Sequence, residues 1–379
     1  MAIHVFDKFY LGLTAVITVG YQLAFFAVAF CLHSDKLTDF AGGSNFVVLA
    51  VVTLVLGSRD PPYNAVAAVP QTRQLVITIL MSVWAARLSS FLLVRILRTG
   101  HDSRFDNLRD RFFPLLQFWV GQMVWVWTAS LPVTVLNSQT VQGAEQAGKM
   151  PPFGTARDIA GTIMFGIGFL CESVADAQRF RFRVRKSADN SNSGLAFCHT
   201  GLFAWSRHPN YFGEILLQFG LFTIATSDTH FRAPYGTHPG FASAIYATVV
   251  GPVLLTLVLL FVTGLPLSER SGAAKRCAAG GAIWDEYRLY LHRTSIFFPM
   301  PPALYARLPV VVKRTLLLEF PMYVFVPGRN DSRTKDPQPA TGPPQAINRE
   351  AEHGDDPDAV PNDHHMPPQS ASTLSSPAK

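Results

Sequence analysis

An all-α, polytopic transmembrane bundle of about seven spans is the architecture this chain of 379 residues predicts. Three observations carry that expectation. Apolar stretches of roughly 20 residues, each enough to cross about 30 Å of hydrocarbon as a helix, recur along the first three quarters of the sequence. Hydrophobic residues make up 49% of the chain and charged ones only 15%, with the Lys and Arg falling mostly between the apolar stretches. The composition then turns polar at Gly328, so residues 1–327 read as the membrane body and 328–379 as a disordered polar tail. A net charge of +6 laid out this way marks membrane topology, not a nucleic-acid surface. Cys31, Cys171, Cys198 and Cys277 are scattered without ligand spacing, so they read as reduced and structural, and no metal site is expected.

The first span, Phe9 to Leu32, lacks a charged leader and a small-residue cleavage site, so it reads as a retained helix. The second, Phe40 to Gly57, is short and follows the run TDFAGG. Asp39 and Asn45 are the polar residues of the amino-terminal half best placed to meet a substrate, or else ordinary helix caps. Asp60-Pro61-Pro62-Tyr63 is a turn. The third span, Gln74 to Leu97, carries Arg87, with Arg98 returning to nearly the same face and able to point with it into the bundle. Arg104 and Arg109 lie in the mixed-charge loop that follows, where salt bridging explains most residues and a phosphate contact remains open. The fourth span, Phe113 to Leu136, holds Trp125 at mid-depth, where it must pack against protein or lipid. A Gly/Pro-rich connector leads to the fifth span, Asp158 to about Gln178. At its end Glu172, Asp176, Arg179 and Arg183 fall on one helical stripe. That stripe is either a salt-bridged solvated helix end or a polar groove entering the bundle; the run Arg179 to Lys186 could also hold anionic lipid.

Ser187 to Ser193 is a flexible loop by composition, and the sixth span follows to about Ser227. It opens with the most informative stretch, SRHPNYFGE. Pro209 suits a first helical turn and Asn210 is a capping type, so the chain turns at Arg207 and His208. These two then flank the free amides of a helix start, which favours an anionic cofactor; they also satisfy a plain cytoplasmic flank. Tyr211, Glu214 and Gln218 share one face of an otherwise apolar helix, and an acid in such a helix costs about 2.5–3.5 kcal/mol, so it has a partner or a task. A seventh span runs from Phe241 to Leu265. Glu269 and Arg270 follow in a loop of small and basic residues, and WDEYRLY, with Tyr287 and Tyr290, is a short amphipathic helix. Asn330-Asp331-Ser332 fits a glycosylation acceptor, on the wrong side for the topology below.

SRHPNYFGE resembles the signature of the steroid 5-alpha-reductase C-terminal-domain family, membrane proteins related to sterol reductases and isoprenylcysteine methyltransferases. The likeness extends more weakly from about Thr38 to Pro301, through TDFAGGSNF, ESVADAQRFRFR and the Tyr-x-x-Tyr-x-x-x-Thr ending. It implies an NADPH site in the half 158–301. Asn210, Tyr211 and Glu214 would line it, with Glu172, Asp176 and Arg179 at the helix end, Arg207 and His208 on phosphate and ribose, and Glu269, Arg270, Tyr287 and Tyr290 over adenine or ribose. A plain interfacial helix is the other reading of the last group.

The reaction implied is hydride transfer from NADPH to a carbon–carbon double bond conjugated to a carbonyl in a lipophilic, steroid- or lipid-like substrate. The family's acid and tyrosine that hold a steroid carbonyl have no secure equivalent here, so the catalytic residues stay unassigned. Two other classes remain: a methyltransferase using S-adenosylmethionine, and a non-catalytic membrane scaffold of the same fold. The Lys/Arg distribution puts the cofactor half and the tail on the cytosolic side, in the endoplasmic reticulum membrane of a eukaryote or the inner membrane of a bacterium.

Overall fold

The computed structural model describes residues 6–58, 71–100, 105, 108, 110–141, 151–188, 197–227 and 240–327. The turn at Asp60, the loop arginines Arg104 and Arg109, the sequon at Asn330 and the polar tail lie outside the described residues.

Helices account for nearly every element. Leu11–Cys31 (α1), Thr38–Gly57 (α2), Thr72–Thr99 (α3) and Phe112–Leu136 (α4) form the amino-terminal bundle. Ala156–Ala188 (α5) and Pro209–Ala225 (α6) pack along each other. Gly240–Ala247 (α7) and Val250–Leu257 (α8) run through a π-helical turn, Val258–Val262, into Leu265–Ala279 (α9). Gly281–Arg293 (α10), Pro302–Arg307 (α11) and Val310–Thr315 (α12) complete the fold. Among the described residues, six stretches are long and apolar enough to cross a membrane: Leu11–Cys31, Thr38–Gly57, Thr72–Thr99, Phe112–Val141, Ala156–Arg185 and Ala242–Ala279. α6, at 17 residues, is shorter than any of the six.

Three boundaries differ from the sequence reading, each for a local reason. α2 starts at Thr38, because Gly42 and Gly43 lie inside the helix, where a Cβ would meet the side chains of Gln122 and Ser89. α5 runs ten residues past Gln178, since FRFRVRK holds good helix formers with no breaker. The stretch after Gly264 is helical too: Pro266 sits in its first turn, its body is rich in Ala, Lys and Arg, and Arg276 lies in its last turn.

α1 is tied at its start by Asp7, whose carboxylate accepts from the amides of Phe9, Leu11 and Gly12 at 2.8, 3.0 and 2.6 Å. The main core joins α2, α3, α4 and α6 through Phe46, Trp84, Val126 and Leu217. Trp125 stands edge-on to Phe46, 5.1 Å between centroids, so the mid-span tryptophan packs against protein. A second cluster links α1 to α4 through Phe26 and Trp119. A third gathers Ile215, Leu260, Ile296 and Tyr323 where α6 meets the carboxyl-terminal segment.

α5 and α6 approach more closely than any side chain allows. A Cβ on Gly168 would stand 2.5 Å from the carbonyl oxygen of Gly213, and one on Gly220 would stand 2.7 Å from that of Gly161. Small residues one or two turns apart let two membrane helices touch backbone to backbone. That contact sets Glu172 beside Gly213 and so brings the polar stretches of the two helices together.

Candidate functional site

The first polar cluster lies between α3, α5 and α6. Arg87 reaches across from α3 with both ends of its fork, Nη1 to Glu172 Oε1 at 2.7 Å and Nη2 to Asp176 Oδ2 at 2.8 Å. Trp84, one turn earlier, donates its indole N–H to the other Glu172 oxygen at 3.0 Å. Glu172 and Asp176 are one turn apart on α5, so a single guanidinium from a facing helix spans them. Glu214 stands near this group on α6, partly buried, without a hydrogen bond or ion pair to any described residue. One turn further, Gln218 is fully buried, and both its amide atoms are unmatched among the described residues.

Arg87 therefore points into the bundle as its spacing suggested. Arg98 does not join it: it lies at the exposed end of α3. Arg95 takes that direction instead and pairs with Asp39 at 3.0 Å. Asp39 is thus an ion-pair partner in the first turn of α2. Asn45 belongs to an interhelical lattice, accepting from Gln22 Nε2 at 3.1 Å, while Gln122 donates to Gln22 Oε1 at 2.8 Å. The structure holds Asp39 and Asn45 in the amino-terminal bundle.

The second cluster surrounds the start of α6. The chain enters through Ser206, whose hydroxyl donates to the Phe297 carbonyl at 2.8 Å, and the Arg207 amide donates to the Ser295 carbonyl at 2.8 Å. These bonds pin the turn against the strand-like segment after α10. Pro209 opens the helix, as its missing N–H favours. Arg207 points away from the helix start and meets two carboxylates, Glu269 at 2.5 Å through Nη1 and Glu319 through Nη2. His208 Nε2 meets the other Glu269 oxygen at 2.7 Å, and Tyr305 donates its hydroxyl to Glu319 at 2.6 Å. Leu318 adopts φ +60°, an uncommon conformation for a bulky residue, immediately before Glu319.

Burial opposes the charge on Arg207, but Glu269 and Glu319 outweigh it and hold its pKa above the ordinary value. Burial pushes His208 below its ordinary value, against the pull of its hydrogen bond to Glu269. The His208 ring stacks on Tyr211, centroids 5.1 Å apart and nearly parallel. Its Nδ1, and the side-chain oxygen of Asn210, are buried and unmatched among the described residues.

The aromatic pair of α10 stands nearby. Tyr290 donates to the Phe203 carbonyl at 2.8 Å, and burial raises its pKa. Burial likewise pushes Tyr287 up to about 12. Arg276 lies over the Tyr287 ring at 4.5 Å and Arg179 over Phe203 at 4.8 Å. Arg270, half-buried, donates its Nε–H to the Met322 carbonyl at 2.8 Å.

The predicted set thus divides in two. Glu172, Asp176 and Glu214 form one group, with Arg87 and Trp84 added; Arg207, His208 and Glu269 form the other, with Glu319 and Tyr305 added. Arg207 was expected to face an anion at the helix start, and in the structure its terminal nitrogens face protein carboxylates. Trp84 resembled a packing residue in the sequence, and Glu319 and Tyr305 lie in a segment with no motif, so nothing there singled them out. Among the described residues no group of three or more His, Cys, Asp or Glu side chains is placed to hold a metal ion.

No curated protein and no solved structure matches this chain. The model of one family, described as "Protein of unknown function (DUF1295)", matches residues 25–294, which include α2 to α10 and both polar clusters apart from Glu319 and Tyr305. With that much of its length matched, the chain belongs to the DUF1295 family.

Proposed function

We propose that the protein is a membrane-embedded, NADPH-dependent reductase of a carbon–carbon double bond in a lipophilic enone, related to the steroid 5-alpha-reductase C-terminal-domain proteins that SRHPNYFGE resembles. The observation that carries this reading is the placement of Glu214, without a described hydrogen bond or ion pair, near the Arg87–Glu172–Asp176 group on a helix whose start keeps unmatched polar atoms on His208 and Asn210. An acid without a described partner, next to a charge cluster between apolar helices, suits a ligand that brings donors of its own.

The donor set fits NADPH in part. The Asn210 oxygen would accept from a ribose hydroxyl or a carboxamide N–H, Glu214 would accept from the carboxamide, and Arg179, nine residues before the end of α5 and beside Phe203, would face phosphate. Arg207 and Glu269 fit it less well, since their charges are matched to each other and to His208 and Glu319. In this reading those four hold the start of α6 in place, and the phosphate contact passes to Arg179. When bound, NADPH would supply the hydride. The chain's own part is to hold the ring against the alkene, exclude water with the apolar faces of α3 and α6, and place a donor on the developing enolate oxygen. Such a protein would open its cofactor site to the cytosol from the endoplasmic reticulum or a bacterial inner membrane.

The test is a thermal-stability titration of detergent-solubilised protein with NADPH, NADH and S-adenosylmethionine, on wild type, Asn210→Ala and Glu214→Gln. Ligand at 100 times its Kd adds about 2.7 kcal/mol to the folded state. Protection by NADPH, weakened in both variants, is the expected outcome. Protection by S-adenosylmethionine would replace the reductase with a methyltransferase, and protection by none of the three would leave a scaffold.

A further inference from the structure

The carboxyl-terminal segment 302–327 lies beyond the family match and folds back over α9 and α10. It is fastened at several points. Glu319 pairs with Arg207, the Tyr323 hydroxyl donates to the Leu260 carbonyl at 2.7 Å, and the Arg270 side chain holds the Met322 carbonyl. Between this strap and the membrane body is a cavity of about 330 Å³. Its walls are largely apolar, with Trp284, Ile296 and Phe325 among them; the cations Arg207, Lys313 and Arg314 and the acids Glu269 and Glu319 supply its charge, the two acids being those already joined to Arg207.

The cations of this cavity are incompletely matched. Lys313 is 7% exposed, and among the described residues its ammonium has one hydrogen bond, a long 3.5 Å contact to the His292 carbonyl, together with the Tyr305 ring at 4.3 Å. Arg207 spends both terminal nitrogens on carboxylates and leaves Nε–H buried without a partner among the described residues. Arg314 reaches the lining from an exposed position. An apolar enclosure holding an under-matched ammonium favours an anion.

The rim shows where that anion comes from. Leu304, Val310, Val311 and Leu316 on the strap are 52%, 59%, 70% and 70% exposed, and Val310 also lines the cavity. Exposed aliphatic side chains alternating with Arg307, Lys313 and Arg314 are the composition of a segment lying in a membrane interface. The cavity itself lies at the end of the apolar run Ala242–Ala279. We propose that this cavity is a binding site for an anionic phospholipid, its phosphate held by Lys313 and Arg314 and the start of one acyl chain laid along Trp284, Ile296 and Phe325. Its volume is at the lower end of the ~300–1,000 Å³ of small-ligand pockets, enough for a headgroup and the first part of a chain. The site is separate from the Arg87–Glu172–Glu214 cluster and does not depend on the reductase reading.

Native mass spectrometry of the full chain in detergent, supplemented with dioleoyl phosphatidic acid or dioleoyl phosphatidylcholine, tests it. Phosphatidic acid is expected to stay bound while phosphatidylcholine is lost. Lys313→Gln should weaken phosphatidic acid binding about fivefold, the loss for one interfacial cation. Ala306→Phe, which fills the cavity without changing charge, should abolish retention, and Arg288→Gln, on an exposed part of α10, should leave it unchanged. Melting temperatures without lipid show whether each variant is folded, so a loss of binding is scored only on folded protein. Equal retention of the two lipids, or unchanged retention in folded Lys313→Gln and Ala306→Phe, overturns the proposal. Displacement of the lipid by glycerol 3-phosphate at equal concentration would make this a soluble-phosphate site, and loss of NADPH protection in Lys313→Gln would make it part of the cofactor site; either result also overturns it.

Discussion

Two glycines on the same helix, two residues apart, make opposite predictions. A Cβ at Gly168 would stand 2.5 Å from the Gly213 carbonyl oxygen and 2.7 Å from the Leu217 amide nitrogen, both backbone atoms of α6. Ordinary contact begins at 3.4 Å, so α5 and α6 must separate by about 0.9 Å or more, and no flexible side chain is available to yield instead. Overpacking of this kind costs about 1–3 kcal/mol. At Gly166 a Cβ meets nothing within 4 Å, and Gly→Ala in a helix interior gains about 0.5–1 kcal/mol. Thermal or denaturant unfolding of the two detergent-solubilised variants should therefore move in opposite directions. Gly213→Ala extends the test to the site, because its Cβ would press on the Glu172 amide nitrogen at 2.6 Å and on that residue's Cβ at 3.0 Å. It should weaken NADPH protection as well as stability. If Gly168→Ala and Gly166→Ala are equally stable, α5 and α6 do not meet through these glycines, and the placement of Glu214 beside Glu172 falls with them.

Arg87→Met leaves the buried Glu172 and the partly buried Asp176 one turn apart without their shared cation and should destabilise by about 3 kcal/mol; adding Glu172→Gln should recover part of it, as a double-mutant cycle on unfolding would show. Arg73 and Asp158 form a wholly buried pair at 2.9 Å between the start of α3 and the start of α5, so Arg73→Met should cost a similar amount, whereas removing the exposed His33–Asp110 contact should cost less than about 1 kcal/mol. Arg207→Lys cannot serve Glu269 and Glu319 with one fork, and limited proteolysis should show the segment 302–327 released in that variant before the rest of the chain unfolds. His208 has a folded pKa below its ordinary 6.5, so at pH values under 6.5 the unfolded chain takes the proton first, and stability falls with pH through that window. His208→Gln should flatten that part of a melting-temperature profile.

The apolar spans and the turn at Arg207–Pro209 were legible because each rests on local chemistry: length against bilayer thickness, and a proline that cannot donate at a helix start. The alignment of Glu172 with Asp176 was legible for the same reason, since both sit on one helix one turn apart. What α3 would contribute was half legible. Arg87 stood out as a charge in an apolar span, but the helical wheel favoured Arg98 as its companion, and Arg98 lies too near the end of α3 to reach another helix. Trp84 was hidden because an indole in an apolar span is ordinary packing until a carboxylate is found 3.0 Å from its N–H.

The Arg207 site shows most plainly why a motif read from sequence underdetermines its chemistry. A basic pair before a helix start has two ways to satisfy its charge, an external anion or an internal one, and the choice depends on carboxylates that contact order places far away. Glu269 is 62 positions on and Glu319 is 112, and neither separation has a helical or strand period that would announce it. The two acids also divide the work unequally. Glu269 is shared by Arg207 and His208 and lies within the region the family match covers, so it binds the start of α6 to α9. Glu319 lies outside that region, is 22% exposed, and brings with it Tyr305 and the whole strap. Removing Glu319 should therefore loosen the strap while leaving the Arg207–Glu269–His208 core joined. Glu319→Gln should raise hydrogen exchange in residues 302–327 by a factor of ten or so, the order expected for losing about 1–2 kcal/mol at a partly exposed charge pair, with α6 and α9 unchanged. If exchange in α6 rises by the same factor, the strap is part of the support of the site, and the cavity beneath it shares its fate.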